Sequence, residues 1–485
     1  MTSTSPPTRR KWRRFLPAAV AFAMTAAFPV AASGQPQAQA HVDNPFEGAS
    51  SYVNPDYSEN VQTSIDRTDS PELRERMRTV QSYPTAVWLD RIAAIEGGED
   101  NGGRLGLREH LDEALAQKGS GPITASFVIY DLPGRDCAAL ASNGELPLTQ
   151  EGLRRYKNDY IDAITEVFQD PKYDDVRIVT VIEPDGLPNL VTNLDDPECA
   201  EAKSSGIQVE AVQYALDRFH EIPNVYTYMD FAHSGWLGWN NNLTDSVGLY
   251  TDVVRETEGG FASVDGFAIN TANYTPTEEP FLNDPYGRVG GQQIRSSQFY
   301  EWNPNFDETD FAADLHSEFV ARGWPSDIGT IIDTGRNGWG GPERPTRESS
   351  SNDLDTYVNE SKVDRRAHRG LWCNASGAGM GQPPRANPSV SADAHLDAFV
   401  WIKPPGESDG SSEEIPNNEG KSPDPMCDPD YVAPEAGNNP TGALPDSPLA
   451  GHWFHDQFTM LVENAHPTVG SSDVNTNVGS SGDQG

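Results

Sequence analysis

The chain has 485 residues, with 73 acidic against 35 basic side chains, a formal net charge of −38, and 36 % hydrophobic residues. Such a surface repels polyanions, which excludes nucleic acid as a partner. The four cysteines lack ligand spacing, which excludes a structural zinc, and no second apolar run is long enough to span a bilayer, so no membrane association is expected.

In chain order, Arg9, Arg10, Lys11, Arg13 and Arg14 precede an uncharged apolar stretch over 15–32, followed by Ala38-Gln39-Ala40. The run is short and interrupted by Pro17 and Pro29. This pattern predicts a signal peptide over 1–40, and hence a secreted, extracellular protein. Export favours two disulfides among Cys137, Cys199, Cys373 and Cys427. Three pairings are possible; the local one, 137 with 199 and 373 with 427, would staple two long loops.

Short apolar runs rich in β-branched residues then recur over 85–90, 125–131, 176–185, 225–230, 266–270, 328–333 and 398–403, each closing on a polar residue. Their near-continuous apolarity fits strands buried on both faces of a parallel sheet. Helical patterns lie between them over 105–117, 151–168, 209–220, 246–256 and 311–321. Alternating strands and helices predict a parallel α/β fold. Seven strands with polar ends suit a closed barrel whose site lies at the carboxyl ends; a doubly wound open sheet is the alternative. The segment 404–449 is rich in Gly, Pro, Ser, Asn and Asp, yet lies between Trp401 and His452-Trp453-Phe454. It reads as a long ordered loop over the site. Residues 468–485 form a polar tail expected to be disordered, leaving one domain over 41–467.

The strand ends carry the chemistry. They read Tyr130-Asp131-Leu-Pro-Gly-Arg135-Asp136-Cys137, then Ile182-Glu183-Pro184-Asp185, then Met229-Asp230, followed by His233-Ser-Gly-Trp236-Leu-Gly-Trp239. Crowded carboxylates raise the pKa of one member. One acid kept protonated beside an ionised partner, with aromatics to stack on sugar rings, is the equipment for breaking a glycosidic bond. A strand-terminal Asp taken singly more often caps a turn or helix. The conjunction carries the reading.

These blocks resemble glycoside hydrolase family 6, the cellobiohydrolases and endoglucanases of cellulose, from Asn44-Pro-Phe to Asn464-Ala-His-Pro. The most specific stretch runs from Tyr130 through Asp136 and Ser142-Asn-Gly to Glu145. The resemblance implies a distorted seven-stranded β/α barrel of TIM-like type, with long loops covering the active site as a tunnel, and inversion at the anomeric carbon. It makes Asp185 the proton donor and Asp136 the acid that keeps the donor's pKa high. Tyr130 would press the sugar out of its chair, and Ser142 would hold the water chain. Asp409 is the candidate base. Asp230 takes a supporting role, or is a structural acid paired with Arg135 or Lys403. Trp88, Asp90, His233, Trp236, Asn273, Trp372, Lys403 and Glu407 are carried over as sugar-binding, and Arg336 as a loop arginine near the water path. Gly186 departs from the serine that many relatives carry after the donor. The long segments 334–372 and 403–453 resemble exo-acting bacterial members. The expected function is therefore a cellulose 1,4-β-cellobiosidase acting from non-reducing ends, with cellulose and cello-oligosaccharides as partners, no cofactor, no metal, and a monomeric state. An endoglucanase of the same family, or a glucan-binding protein that has lost the reaction, are the alternatives.

Overall fold

A computed structural model of the protein describes residues 41–471; the leader expected over 1–40 and most of the expected tail lie outside the described residues. Among the described residues no helix is long and apolar enough to cross a membrane.

All seven apolar runs form strands: β1 Val87–Leu89, β2 Ile123–Ile129, β3 Val176–Ile182, β4 Val225–Asp230, β5 Gly266–Ile269, β6 Gly329–Asp333 and β7 Leu396–Val400. Each pairs with the next in chain order, and every one of these ladders is parallel. The sheet curls until β1 and β7 face each other without a ladder. A single backbone bond from Ala86 N–H to Trp401 O (3.0 Å) and the Trp88 indole N–H on Ile402 O (2.8 Å) span that seam. The result is a distorted seven-stranded barrel, as expected, rather than a flat doubly wound sheet.

The continuous apolarity of the strands follows from this geometry. Successive side chains point to opposite faces, and both faces are covered. Val128, Val179, Val181, Tyr226, Tyr228, Ala268 and Ile331 fill the barrel interior. Phe127, Ile129, Ile178, Met229, Phe267, Ile269 and Ile332 point outward into the layer beneath the helices. There the rings of Phe267 and Phe319 stack at 4.0 Å. Burying one such ring contributes about 1.5–3 kcal/mol.

The five expected helices form, with Ile207–His220, Asn240–Arg255 and Glu308–Ala321 each starting earlier than their apolar period suggests. The helix over 150–168 contains a π-helical segment, Tyr156–Ile161, whose extra residue per turn brings Tyr156 and Tyr160 to bear on the strand ends. Helices Pro55–Arg67, Pro71–Val80 and His455–Glu463 were not anticipated, although Asn54 and Ser70 cap the first two and Pro opens each. They build a second core around Trp339 and Trp401 that supports the site's loops. Beyond residue 467, Val469 packs on this same core, and Ser471 N–H turns back onto Thr468 O.

Cys137 pairs with Cys199 and Cys373 with Cys427, the local pairing. The second bridge ties the loop before β7 to the segment 404–453, which runs ordered across the carboxyl ends of the strands.

Candidate active site

Strands β2 to β5 end in backbone turns that most side chains avoid. Asp136, Glu183, Asp185, Ala232, Asn270 and Ala272 all have positive φ, between 46° and 65°. Such conformations cost about 1–3 kcal/mol each and persist only where the surroundings enforce them. Part of the enforcement comes from Glu183, which is 3 % exposed. Its carboxylate accepts the N–H groups of Asp131 (3.3 Å) and Leu132 (3.2 Å) and the Tyr156 hydroxyl (2.8 Å). Tyr160 OH accepts the Tyr130 N–H at 2.9 Å and donates to Leu89 O. The π-segment thus locks the ends of β1, β2 and β3 together.

Three carboxyls meet where those ends converge. Asp230 Oδ2 accepts the N–H groups of Asp185 (3.0 Å) and Ala232 (3.2 Å). Burial pushes Asp230 up to about 6, with the two N–H donors opposing. Asp136 Oδ2 accepts from Tyr130 OH and Oδ1 from Asn189 Nδ2, both at 3.3 Å, and the Ser142 hydroxyl is a third partner. Burial lifts Asp136 to about 6 against the pull of Arg135 and these donors. Asp185 is held well above the carboxylate range by burial first, then by the neighbouring Asp136 and Asp230. All three influences favour its protonated form. Unlike Asp136 and Asp230, it stays partly open to solvent.

The alternative pairing of Asp230 with Arg135 or Lys403 is not what forms. Arg135 spends its guanidinium on the carbonyls of Asp90, Tyr130, Ser142 and Asn143, and stacks 4.1 Å from the Tyr130 ring centre. Lys403 N–H bonds Asp333 Oδ2 at 2.9 Å, while its ammonium lies 5.1 Å above the Trp88 ring. The carboxylate nearest Arg135 is Asp131 at 3.9 Å, while Asp230 takes its bonds from backbone N–H groups.

Asp409 sits in a neighbouring cluster. Its Oδ1 accepts from Arg336 at 2.8 Å, and its Oδ2 from Tyr274 OH (2.6 Å) and Asn374 N–H (2.8 Å). Arg336, 1 % exposed in its own side chain, grips this carboxylate. Asp333 bridges the two clusters: Arg336 stabilises its charge, and its own charge raises Asp230. Asp409 is carried on the late loop, whose Gly410 lies so close to loop 131–149 that a Cβ would fall 2.3 Å from Ala141 Cβ. Nearby, Lys421 pairs with Asp90 (3.1 Å), Glu419 with Arg91 (2.8 Å), and Ser422 N–H with Leu140 O (3.3 Å).

The sugar-binding candidates divide. Trp88, Trp236 and Trp372 each keep part of the indole exposed, whereas Trp339 and Trp401 are buried. Trp88 stands edge-on to Tyr130 at 5.1 Å, and Trp236 donates its N–H to Thr192 Oγ1 at 2.6 Å. Trp372 packs beside the Cys373–Cys427 bridge. His233 is engaged by Asn273 (3.0 Å), which also accepts from Arg366. Burial, and then the charges of Arg366 and Arg369, push His233 well below the usual histidine range. Asp90 is committed to Lys421, and Glu407, raised by burial, faces Lys403. At Gly186 a Cβ would approach Leu132 Cδ1 to 2.5 Å, so a serine there would require a different Leu132 position. Glu183, Tyr156, Asn189 and Tyr274 escaped the sequence reading. Glu183 stood inside the quoted Glu-Pro-Asp block, and only its direction, away from Asp185, separates their duties.

The model of the glycosyl hydrolases family 6 matches residues 46–465. The chain belongs to that family. It is 54 % identical over 438 residues to exoglucanase A of Cellulomonas fimi, covering 90 % of this chain but 50 % of that protein, so it spans about half of that relative's length. The catalytic domain of Cellulomonas fimi Cel6B superposes with a TM-score of 0.87 at 53 % identity, over 90 % of this chain and 98 % of that one. Cellobiohydrolase II (Cel6A) from Humicola insolens, in complex with glucose and cellotetraose, gives 0.67 at 33 % identity, over 87 % and 99 %.

The buried carboxyls also set the response to pH. Burial holds Glu183, Glu279 and Glu308 up at about 7, whereas in an unfolded chain they titrate near 4. The folded protein therefore keeps protons that the unfolded chain has released, and stability falls as pH climbs through the folded values. His110, pushed down to about 4 by burial, acts in the opposite sense, but its contribution is complete above about 6.5. Unfolding free energy is expected to fall by on the order of 1 kcal/mol per carboxyl between about pH 6.5 and pH 8, and the thermal midpoint to drop with it. Calorimetry at the two pH values checks this; equal midpoints would contradict it.

Proposed function

We propose that this chain is a secreted, inverting cellulase that hydrolyses β-1,4-glucosidic bonds and releases cellobiose from non-reducing chain ends. The observation that carries the reading is the buried Asp185 carboxyl, held above the usual carboxylate range by burial and by the flanking Asp136 and Asp230, within a family of glycosyl hydrolases. In this reading Asp185 protonates the departing glycosidic oxygen. Asp136 holds it protonated, then stabilises the positive charge developing on the sugar. Tyr130, hydrogen-bonded to Asp136, crowds the ring at the cleavage point, and Ser142 orders water beside it. Asp230 fixes the backbone of the donor through the Asp185 N–H. Asp409, positioned by Arg336, Tyr274 and Asn374, takes the proton of the attacking water directly or through a further water. Trp88, Trp236 and Trp372 stack on pyranose faces, while Lys403 and Glu407 meet hydroxyls.

The exo mode rests on enclosure. The late loop, carrying Gly410, Glu419 and Lys421, closes onto loop 131–149 and onto Asp90 and Arg91. A site roofed in this way admits chain ends more readily than chain middles. The names borne by Cellulomonas exoglucanase A and Humicola cellobiohydrolase II agree with it. The test is incubation with amorphous cellulose and with carboxymethylcellulose. Soluble cellobiose with little loss of viscosity is expected. A rapid viscosity drop would assign an endoglucanase, and no sugar release from either would leave a glucan-binding protein.

A further inference from the structure

Two rings outside the site are held in the open. Trp302 (59 % exposed) and Tyr286 (54 %) are the most exposed of the large apolar side chains among the described residues. Arg295 lies between them, its guanidinium carbon 4.6 Å from the Tyr286 ring centre and 5.6 Å from that of Trp302. The Arg295 guanidinium is itself anchored on Gln293 Oε1 at 2.9 Å. The backbone presents the indole at a cost. Glu301 and Trp302 both adopt positive φ, 48° and 71°, a conformation unfavourable for bulky residues. The Trp302 N–H bond to Arg295 O (2.6 Å) and the Glu301 N–H bond to Ser297 O (2.9 Å) hold it there.

This loop is docked on the segment that carries Trp236. Asn303 Nδ2 donates to Ser234 O (2.7 Å), Asn305 Nδ2 to Gly238 O (3.0 Å), and the Trp239 indole N–H to Glu301 O (2.8 Å). Trp236, Trp239 and Trp302 therefore belong to one hydrogen-bonded unit, running from a sugar-stacking candidate out to the exposed pair. Aromatic faces flanking a fixed guanidinium match a pyranose chain: C–H groups of the sugar bury apolar area on the rings, and hydroxyls accept from the guanidinium. A neutral chain is also the polymer that the acidic surface does not repel.

We propose that Trp302, Arg295 and Tyr286 form a second glucan-binding platform, outside the catalytic chamber and continuous with Trp236, that holds a further stretch of β-1,4-glucan. The proposal rests on the reading of the chain as a cellulase. Its first test is adsorption to insoluble cellulose in an Asp185→Ala background, which needs no turnover. Adding Trp302→Ala is expected to weaken adsorption about tenfold, the loss of one stacked ring. Trp302→Phe should restore most of it, and Tyr286→Ala, on a separate segment, should weaken it independently. In active enzyme the ratio of turnover on insoluble cellulose to turnover on cellotetraose should fall with Trp302→Ala. Unchanged adsorption in both alanine variants, or an unchanged ratio, would overturn the platform. If the parent enzyme releases no sugar from either substrate, the cellulase reading fails by itself, while adsorption still decides the platform.

Discussion

Asp185→Asn is expected to lower kcat on amorphous cellulose by about 10²–10⁴-fold, the usual contribution of a positioned general acid. Asparagine suits the experiment because it tolerates the left-handed backbone that Asp185 adopts (φ 65°) and keeps the N–H bond to Asp230. The fold and the neighbouring carboxyls are therefore retained, and only the transferable proton is lost. Sugar release at early times reads the effect. A variant as active as the parent would remove Asp185 from the donor's role. Asp136 and Asp230, both near 6, each raise Asp185, so the acidic and basic limbs of the parent's pH profile report the cluster rather than any one member.

Arg336→Ala is expected to destabilise the protein by about 3–5 kcal/mol, the cost of leaving a buried carboxylate without its cation. Asp409 is 7 % exposed and would lose a 2.8 Å ion pair. The same substitution removes a guanidinium that stacks 4.3 Å from the Tyr274 ring centre and donates to Ala272 O. Urea unfolding measures the change; a midpoint equal to the parent's would mean that the pair contributes nothing to holding the late loop. Pairing this variant with Asp409→Ala in a double-mutant cycle separates the coupling from the separate losses. Any activity loss at Asp409 has to be compared with this stability loss before it is ascribed to a base.

The legible parts of the sequence were those written in local pattern. The runs 125–131 and 176–185 announced strands because parallel strands covered on both faces are mostly apolar until they end, with Ser126, Arg177 and Thr180 the polar residues inside them. The block from Tyr130 to Glu145 announced the chemistry, since Asp136, Ser142 and Tyr130 sit within one loop and meet on one carboxylate. The helices Pro55–Arg67 and Pro71–Val80 were missed although their caps and helical spacing (Tyr57, Val61, Ser64, Ile65) were present, because they precede the first barrel strand and lie outside the strand–helix alternation from which the fold is read. Asp230 was assigned the wrong alternative partner for a different reason. Backbone N–H groups carry no sequence signature, and Asp230 bonds two of them.

By itself the sequence determined the kind of fold, the order of the strands and the residue types available at their ends, because burial periodicity and turn chemistry are local properties. Only the tertiary structure decided which carboxyl stays protonated. That depends on how closely Asp136, Asp185 and Asp230 are packed and how little solvent reaches them, distances set between strand ends 45 to 94 residues apart in the chain. The same holds for Arg336 and Asp409, joined across 73 residues, and for Trp302, whose exposure next to the Trp236 segment no local pattern records.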